Sequence, residues 1–595
     1  MAPGVRGGVH TGGVSMKKFV VVLLLLAGTL AYANDSKISP ELRGYPGTKQ
    51  ANIIVQYAPG TQLTCSGLLG LVDCLLNDIL KLGGTILGDL PLINGVVAQL
   101  DGNGIVSLSN QSNVIYISSD RPLTPTLSNA APAINAFAAW QSGYIGSGIG
   151  VALIDSGVSS HPDLNGGTRG ASRVVYNQSF VSGNSSANDQ YGHGTHIAGL
   201  IAGDGASSTG PQYSRTFQGI APGATLVNLR VLDQNGEGTD STVIAAIYTA
   251  ISLKQRFNIR VMNLSLGREV YETYKLDPLC QAVEMAWKSG IVVVVSAGNN
   301  GRTQASDGYG TITSPGNDPY VITVGAMKPM GTPTRTDDLI ASYSSKGPTA
   351  GDAIVKPDVV APGNLLVSLE APNSTLFTEY PTNQIPYSYY VNGGSSASSS
   401  SYFSLSGTSM AAGVVSGAVA DLLQKTPSLT PDQVKARLMK TAWKSLPLFS
   451  SYTDPVSGIT YTDQYDIFTV GAGYVDLEAA LANTDLARGT AMSPVATFNS
   501  TTNSVYLTDN PSAVWNTSAA WSNAAVWGSS QFVVGTASVE AAGAAAAAPS
   551  GTNALWGGNA LWGGNALWGG NALWGGNALW GGNALWGGSV PTGEN

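Results

Sequence analysis

Short apolar runs recur through the middle of the chain, at residues 149–154, 225–231, 260–266, 291–295 and 321–324. They are rich in Val and Ile and lack polar alternation, so each reads as a strand buried on both faces. Stretches of helical character lie between them, at 241–253 and 277–289 for example. This alternation predicts an α/β fold over residues 129–485, a doubly wound, mostly parallel sheet with helices on both faces. Thr430-Pro431-Asp432-Gln433 opens a further helix. Thr430 is its cap, Pro431 suits the first turn and Gln433 closes a capping box.

The flanking zones have other patterns. Met16-Lys17-Lys18, the apolar run 19–26 and Ala31-Tyr32-Ala33 follow the basic, apolar, small-residue order of a secretory signal. Residues 1–33 are therefore expected to be a signal peptide, with Met16 as the true start and the mature protein extracellular. The run is shorter than the roughly 20 apolar residues of a membrane span. No membrane span is expected in the mature form. Residues 34–128 hold strand-like runs at 52–57 and 114–118 around an apolar, helix-like stretch at 68–82. They read as a small α+β unit ending in a linker with Pro122 and Pro125. Residues 486–552, rich in Ser, Thr, Asn and Ala, read as a linker carrying degenerate repeats. Residues 553–588 are six copies of Asn-Ala-Leu-Trp-Gly-Gly, within a low-complexity tail 553–595. Trp515, Trp521 and Trp527 keep the same spacing of six upstream. An even period places every Trp on one side of an extended strand, a face suited to a cell surface or polymer. Six near-identical, glycine-rich copies favour a low-complexity tail over such a module.

Composition narrows the function. The 595 residues carry 29 basic and 37 acidic side chains, a net charge of −8, which argues against a nucleic-acid partner. Three cysteines rule out a disulfide-rich scaffold or a cysteine-based metal framework. Cys65 and Cys74 are close enough in sequence to pair outside the cell, whereas Cys280 reads as a buried apolar residue. Four histidines, His10, His161, His193 and His196, leave a short list for a general base. No H-E-x-x-H is present, which disfavours metal-based hydrolysis.

In an open parallel sheet, ligands bind beyond the carboxyl ends of the strands. Three predicted strands deliver Asp155, Ser265-Leu266-Gly267 and Ser296-Ala297-Gly298-Asn299 to that rim. His193 lies in Gly192-His193-Gly194-Thr195-His196, and Ser409 in Gly407-Thr408-Ser409-Met410-Ala411-Ala412, where a small-residue helix is expected to start. A helix N-terminus supplies free N–H groups and the positive dipole end beside Ser409. No serine has glycine at both flanking positions of a lipase-type elbow.

These residues resemble the subtilases, the subtilisin-like serine proteases. The segment Val151-Ala152-Leu153-Ile154-Asp155-Ser156-Gly157 matches the aspartate box, and the segments around His193 and Ser409 match the histidine and serine boxes. The order Asp, His, Ser is that of subtilisin. The resemblance implies a serine endopeptidase acting through Asp155, His193 and Ser409, with Asn299 as an oxyanion donor. It implies polypeptide substrates paired between Gly236-Glu237-Gly238 and Ser265-Leu266-Gly267, with Ala297-Gly298 walling a primary pocket. It implies no cofactor. Structural calcium occurs in the family, and Asp233 and Asp318 are candidate structural or calcium residues, but no loop has readable ligand spacing, so no metal site is assigned. Residues 34–128 resemble the family's inhibitory propeptide, with 93–98 as a further strand, so the protein's own propeptide is its expected inhibitor and is removed near residues 120–129. One departure is Gly413, where the family carries proline. The competing reading is a catalytically silent surface-binding protein acting through the Trp repeats.

Overall fold

The computed structural model describes residues 34–39, 42–58, 75–90, 94–119, 130–166, 171–303, 306–499, 504–516, 519–521, 523–527, 532–533, 538–539, 585–586 and 593–594. The expected signal peptide, Cys65, Cys74 and most of the hexapeptide repeat lie outside these residues. Two compact units meet between residues 123 and 124.

In the first unit, β1 (Gln50–Tyr57), β2 (Thr85–Leu90), β3 (Gly95–Asp101) and β4 (Val114–Ser119) form an antiparallel sheet ordered β2-β3-β1-β4. Period-two alternation buries Ile53, Val55 and Tyr57 of β1 against Leu100, Ile79 and Leu108. The last two lie on helices α1 (Leu75–Lys81) and α2 (Gly102–Ser109). Asp101 starts α2 by accepting a hydrogen bond from the Gly104 N–H at 2.8 Å, a side-chain cap.

The second unit is the α/β sheet. Its strands are β5 (Gly150–Asp155), β6 (Val174–Ser179), β7 (Thr225–Arg230), β9 (Ile259–Leu264), β10 (Val292–Ser296), β11 (Ile322–Lys328), β12 (Leu339–Ile340) and β13 (Val359–Pro362); the two-residue β8 (Glu237–Gly238) stands apart. The order is β12-β11-β10-β9-β5-β7-β6, with β13 also on β11. All pairings are parallel except β11 with β12. Every residue of β5, β10, β11 and β13 is buried, which explains their mostly apolar character. Each fully buried Val or Ile contributes about 1.5–3 kcal/mol of transfer free energy. The chain runs from β5 to one side through β6 and β7 and then returns to β9 on the other, so the sheet reverses direction at β5.

Helices α3 (His193–Ala202), α4 (Asp240–Phe257), α5 (Pro278–Lys288), α6 (Thr408–Lys425) and α7 (Pro431–Thr441) cover the sheet. Residues Thr408 to Leu423 of α6 are all buried. A helix apolar on every side belongs in the interior, and α6 packs on β9, β10, β11, β13 and α3. Its Gly and Ala residues allow that close approach. Gly413 sits against Ile197 and Leu200 of α3, where an added Cβ would come within 3.3 Å of Ile197. The helix passes through Gly413 without interruption. The capping box at Thr430 forms reciprocally, with Pro431 in the first turn.

The expected linker packs in its described part. Trp515, Trp521 and Trp527 are buried, and the Trp515 and Trp527 rings meet edge to face at 4.9 Å. The helix α8 (Asn523–Trp527) packs on α7, and the Trp515 indole N–H donates to the Met492 carbonyl at 2.7 Å. Cys280 is buried on α5, and burial pushes its thiol pKa upward. Among the described residues, no helix is long and apolar enough to cross a membrane.

Candidate active site

The sheet reversal at β5 opens the rim where a site is expected. Asp155 ends β5, in register with Arg230 of β7, while Ile154 pairs with Leu264 of β9. The parallel register carries this edge on to β10, where Leu264 pairs with Val295. Asp155, Ser265 and Ala297-Gly298-Asn299 therefore emerge from the same end of adjacent strands.

His193 is the first residue of α3. Its Nδ1 lies 2.7 Å from Asp155 Oδ1, and both side chains are buried. The same Asp155 oxygen accepts the Ser156 N–H at 2.7 Å. The other ring nitrogen, Nε2, is buried without a hydrogen-bond partner. Burial pulls the imidazole pKa down, but the Asp155 charge and hydrogen bond, with the Asp189 charge, outweigh it and leave the pKa raised. The pair thus fixes the tautomer with Nδ1–H toward Asp155 and leaves Nε2 basic.

Ser409 is the second residue of α6. Gly407 caps that helix at φ 151°, a backbone setting suited to glycine, and places the serine at the helix N-terminus. The Ser409 Oγ donates to the Ser265 carbonyl at 3.2 Å, and the Ser265 hydroxyl donates back to the Ser409 carbonyl at 2.8 Å. His193 and Ser409 thus start two helices that pack on each other, α3 and α6, with Gly413 against Ile197.

Asn299 follows β10. Its Oδ1 accepts the Thr408 N–H at 2.9 Å and the Thr408 hydroxyl at 3.1 Å. Thr408 Oγ1 in turn accepts the Gly298 N–H at 3.1 Å. Holding the amide by its oxygen directs the NH₂ group away from Thr408. Gly298 faces Thr313 and Ser345, so Ala297-Gly298 forms a wall with no room for a side chain. Gly236 lies under Tyr191, and Glu237–Gly238 form β8. Asp233 shapes that turn by accepting the N–H groups of Asn235 and Glu237. Leu266 is buried, and Gly267 abuts Thr313.

The other histidines serve elsewhere. His196 Nε2 reaches the carbonyls of Leu366 at 3.0 Å and Phe403 at 3.1 Å, on β14 (Leu366–Leu369) and β15 (Ser398–Leu405). Burial and the neighbouring His193 push its pKa down to about 3, so it is a neutral clamp. His161 contacts the Ser401 carbonyl and the Asp163 backbone N–H. Asp318 is buried, accepts the Tyr320 N–H and has its pKa pushed up to about 8 by burial and Glu284.

Three supports escaped the sequence reading. Asp189 accepts the N–H groups of Tyr191, Gly192 and Thr195 and the Ser156 hydroxyl, fixing the start of α3. Its place just ahead of His193 is a helix-start signal that could have found it. Asn263 donates to Ser265 Oγ and accepts from Ser416 of α6, tying β9 to the helix behind Ser409. Nothing local in the sequence marks that pair.

Comparison with known proteins identifies the family of the unit that carries this site. A family model described as "Subtilase family" matches residues 146–488. Serine protease AprX of Bacillus subtilis (strain 168) is 36% identical over 354 residues, 58% of this chain and 73% of that protein. Subtilisin DY of Bacillus licheniformis is 33% identical over 356 residues, 60% of this chain and 98% of that protein. Subtilisin E of Bacillus subtilis (strain 168) is 32% identical over 427 residues, 70% of this chain and 91% of that protein.

Proposed function

Starting from the fact that this chain belongs to the subtilase family and is a serine-type endopeptidase, we propose that Asp155, His193 and Ser409 are its catalytic triad. The observation that carries the reading is the buried 2.7 Å contact of His193 Nδ1 with Asp155, which leaves Nε2 unpaired. Ser409 Oγ attacks the peptide carbonyl, and His193 Nε2 takes its proton. The tetrahedral oxyanion is held by the Ser409 backbone N–H and the Asn299 amide. His193 then returns the proton to the leaving amine, and water hydrolyses the acyl-enzyme by the same route. Asp155 orients the ring and stabilises the imidazolium.

The substrate is an extended polypeptide lying between Glu237–Gly238 and Ser265-Leu266-Gly267, gripped mainly through its backbone. The small α+β unit is the inhibitory propeptide of an exported zymogen, removed by Ser409 itself. The described repeat-bearing residues around Trp515 to Trp527 belong to the protease core, so surface attachment rests on the later copies alone.

Casein cleavage and labelling by a serine-directed phosphonate test the mechanism. Ser409→Ala is expected to abolish cleavage and labelling and to leave the precursor at full mass. Cleavage at an unchanged rate in that variant rejects the triad. Asn299→Ala is expected to lower kcat by about 10²–10³ with little change in KM, as the loss of one oxyanion donor does.

A further inference from the structure

The C-terminal end of the chain returns to the catalytic unit at two places. Leu585–Trp586, in the last hexapeptide copy, pairs antiparallel with β8, Leu585 opposite Gly238 and Trp586 opposite Glu237. Eight residues later, Glu594 is buried among groups that suit an acidic side chain. Arg302 Nη2 lies 2.9 Å from Glu594 Oε1, and Lys328 Nζ lies 3.6 Å from Oε2. The Ser342 N–H donates to Oε1 at 2.9 Å, and the Ser342 hydroxyl donates to the same oxygen. Asn364 grips the Glu594 backbone from both sides: its Nδ2 donates to the carbonyl at 2.7 Å and its Oδ1 accepts the N–H at 2.9 Å. Gly593 lies so close to Ser406 and Leu365 that a Cβ would come within 2.5 Å of both. Ser406 is three residues before Ser409.

We infer that Leu585–Trp586 and Gly593–Glu594 are the two anchors of an intramolecular ligand on the substrate edge, with the Glu594 carboxylate held in a pocket made of Arg302, Lys328, Ser342 and Asn364. This rests on the reading of β8 as a substrate edge. The chain meets β8 first and the Ser406-Asn364 side second, so its two anchors lie in chain order on the edge that grips substrate and beside the turn that presents Ser409. The pocket is built rather than incidental. Both cations also lie over the ring of Tyr452, the Arg302 guanidinium at 4.9 Å and Lys328 Nζ at 5.1 Å. Arg302 also reaches Asp454 at 3.2 Å, which leaves its second arm for an incoming carboxylate. A buried, charge-assisted pair of this kind discriminates strongly between carboxylate and amide. The pocket therefore favours a Gly-Glu sequence, and the tail competes with polypeptide substrates that lack it.

The test uses the processed chain, with its N-terminus past residue 128 and its mass through Asn595 confirmed, and a short chromogenic peptide. Glu594→Gln and Arg302→Gln are each expected to lower the apparent KM about tenfold with kcat unchanged, because the carboxylate contact that holds the tail is lost. A free peptide of residues 585–595 is expected to inhibit the Glu594→Gln chain competitively, and the same peptide with Gln for Glu about tenfold more weakly. Binding of the labelled peptide to the processed Glu594→Gln chain is read by fluorescence anisotropy and involves no turnover, so it separates this inference from the triad. Unchanged KM in both variants, or no peptide binding to the processed Glu594→Gln chain, overturns it. Equal inhibition by the Glu and Gln peptides overturns the carboxylate pocket.

Discussion

At the scale of single residues, the site turns on one imidazole. Its pKa is raised in the fold, so the protonated form is favoured there. Stability from that charge is present below about pH 6.5 and is lost as pH rises through the higher folded value. In the proposed mechanism catalysis runs the opposite way, because Nε2 accepts a proton only when the ring is neutral. The acid limb of the kcat/KM profile is therefore expected above about pH 6.5. Asp155→Asn removes the charge that raises it. The limb is expected to move to lower pH while kcat falls by about 10⁴, because the ring loses its tautomer control. Both appear in a pH–rate series on the two proteins. Asp155, His193, Ser409 and Asn299 could be picked out in the sequence as candidates because each sits in a short run that matches a family box. Thr408, which orients Asn299, and Asp189, which seats α3, were not, because their roles depend on hydrogen bonds from other segments.

Among the elements, strands and helices were legible where local physics decides them. The Val- and Ile-rich runs became β5, β7, β9 and β10 within one or two residues of the expected ends, the normal uncertainty of strand limits, while β11 runs four residues past its expected end at 324. The Thr430 box is such a local device, and it lies at the start of α7, away from the cleft rim. Thr430→Ala is expected to lower unfolding free energy by about 1 kcal/mol in urea titrations and to leave kcat/KM unchanged. Gly413 is the opposite case. Its sequence reading rested on the absence of a proline; its structural role is the close approach of α3 to α6, which no window around residue 413 contains.

Across the whole molecule, the described part of the region after residue 486 belongs to the catalytic unit. Ser493 hydrogen-bonds Asp358, and its carboxylate also pairs with Lys356 at 2.7 Å and Lys435 at 3.0 Å, all buried. Burial works against the Asp358 charge, but the two lysines win and hold its carboxyl below the usual range. The stability this cluster gives is therefore present above the ordinary carboxylate pKa and is lost in acid as pH falls through the lower folded value. Trp515 extends the same core. Trp515→Ala is expected to cost about 3–5 kcal/mol in chemical denaturation. A loss under about 0.5 kcal/mol, as at an exposed site, would return this stretch to the status of a linker.

The sequence alone determined the reaction type and the strand–helix alternation, because side-chain chemistry and hydrophobic period are properties of neighbouring residues. Only the tertiary structure decided that residues 155, 193, 299 and 409 share one rim, that the early Trp copies are buried against α7, and that Glu594 meets Arg302 from 292 positions away. These are long-range contacts, fixed by parallel register and by which faces of the elements must leave water, and no local pattern along the chain encodes them.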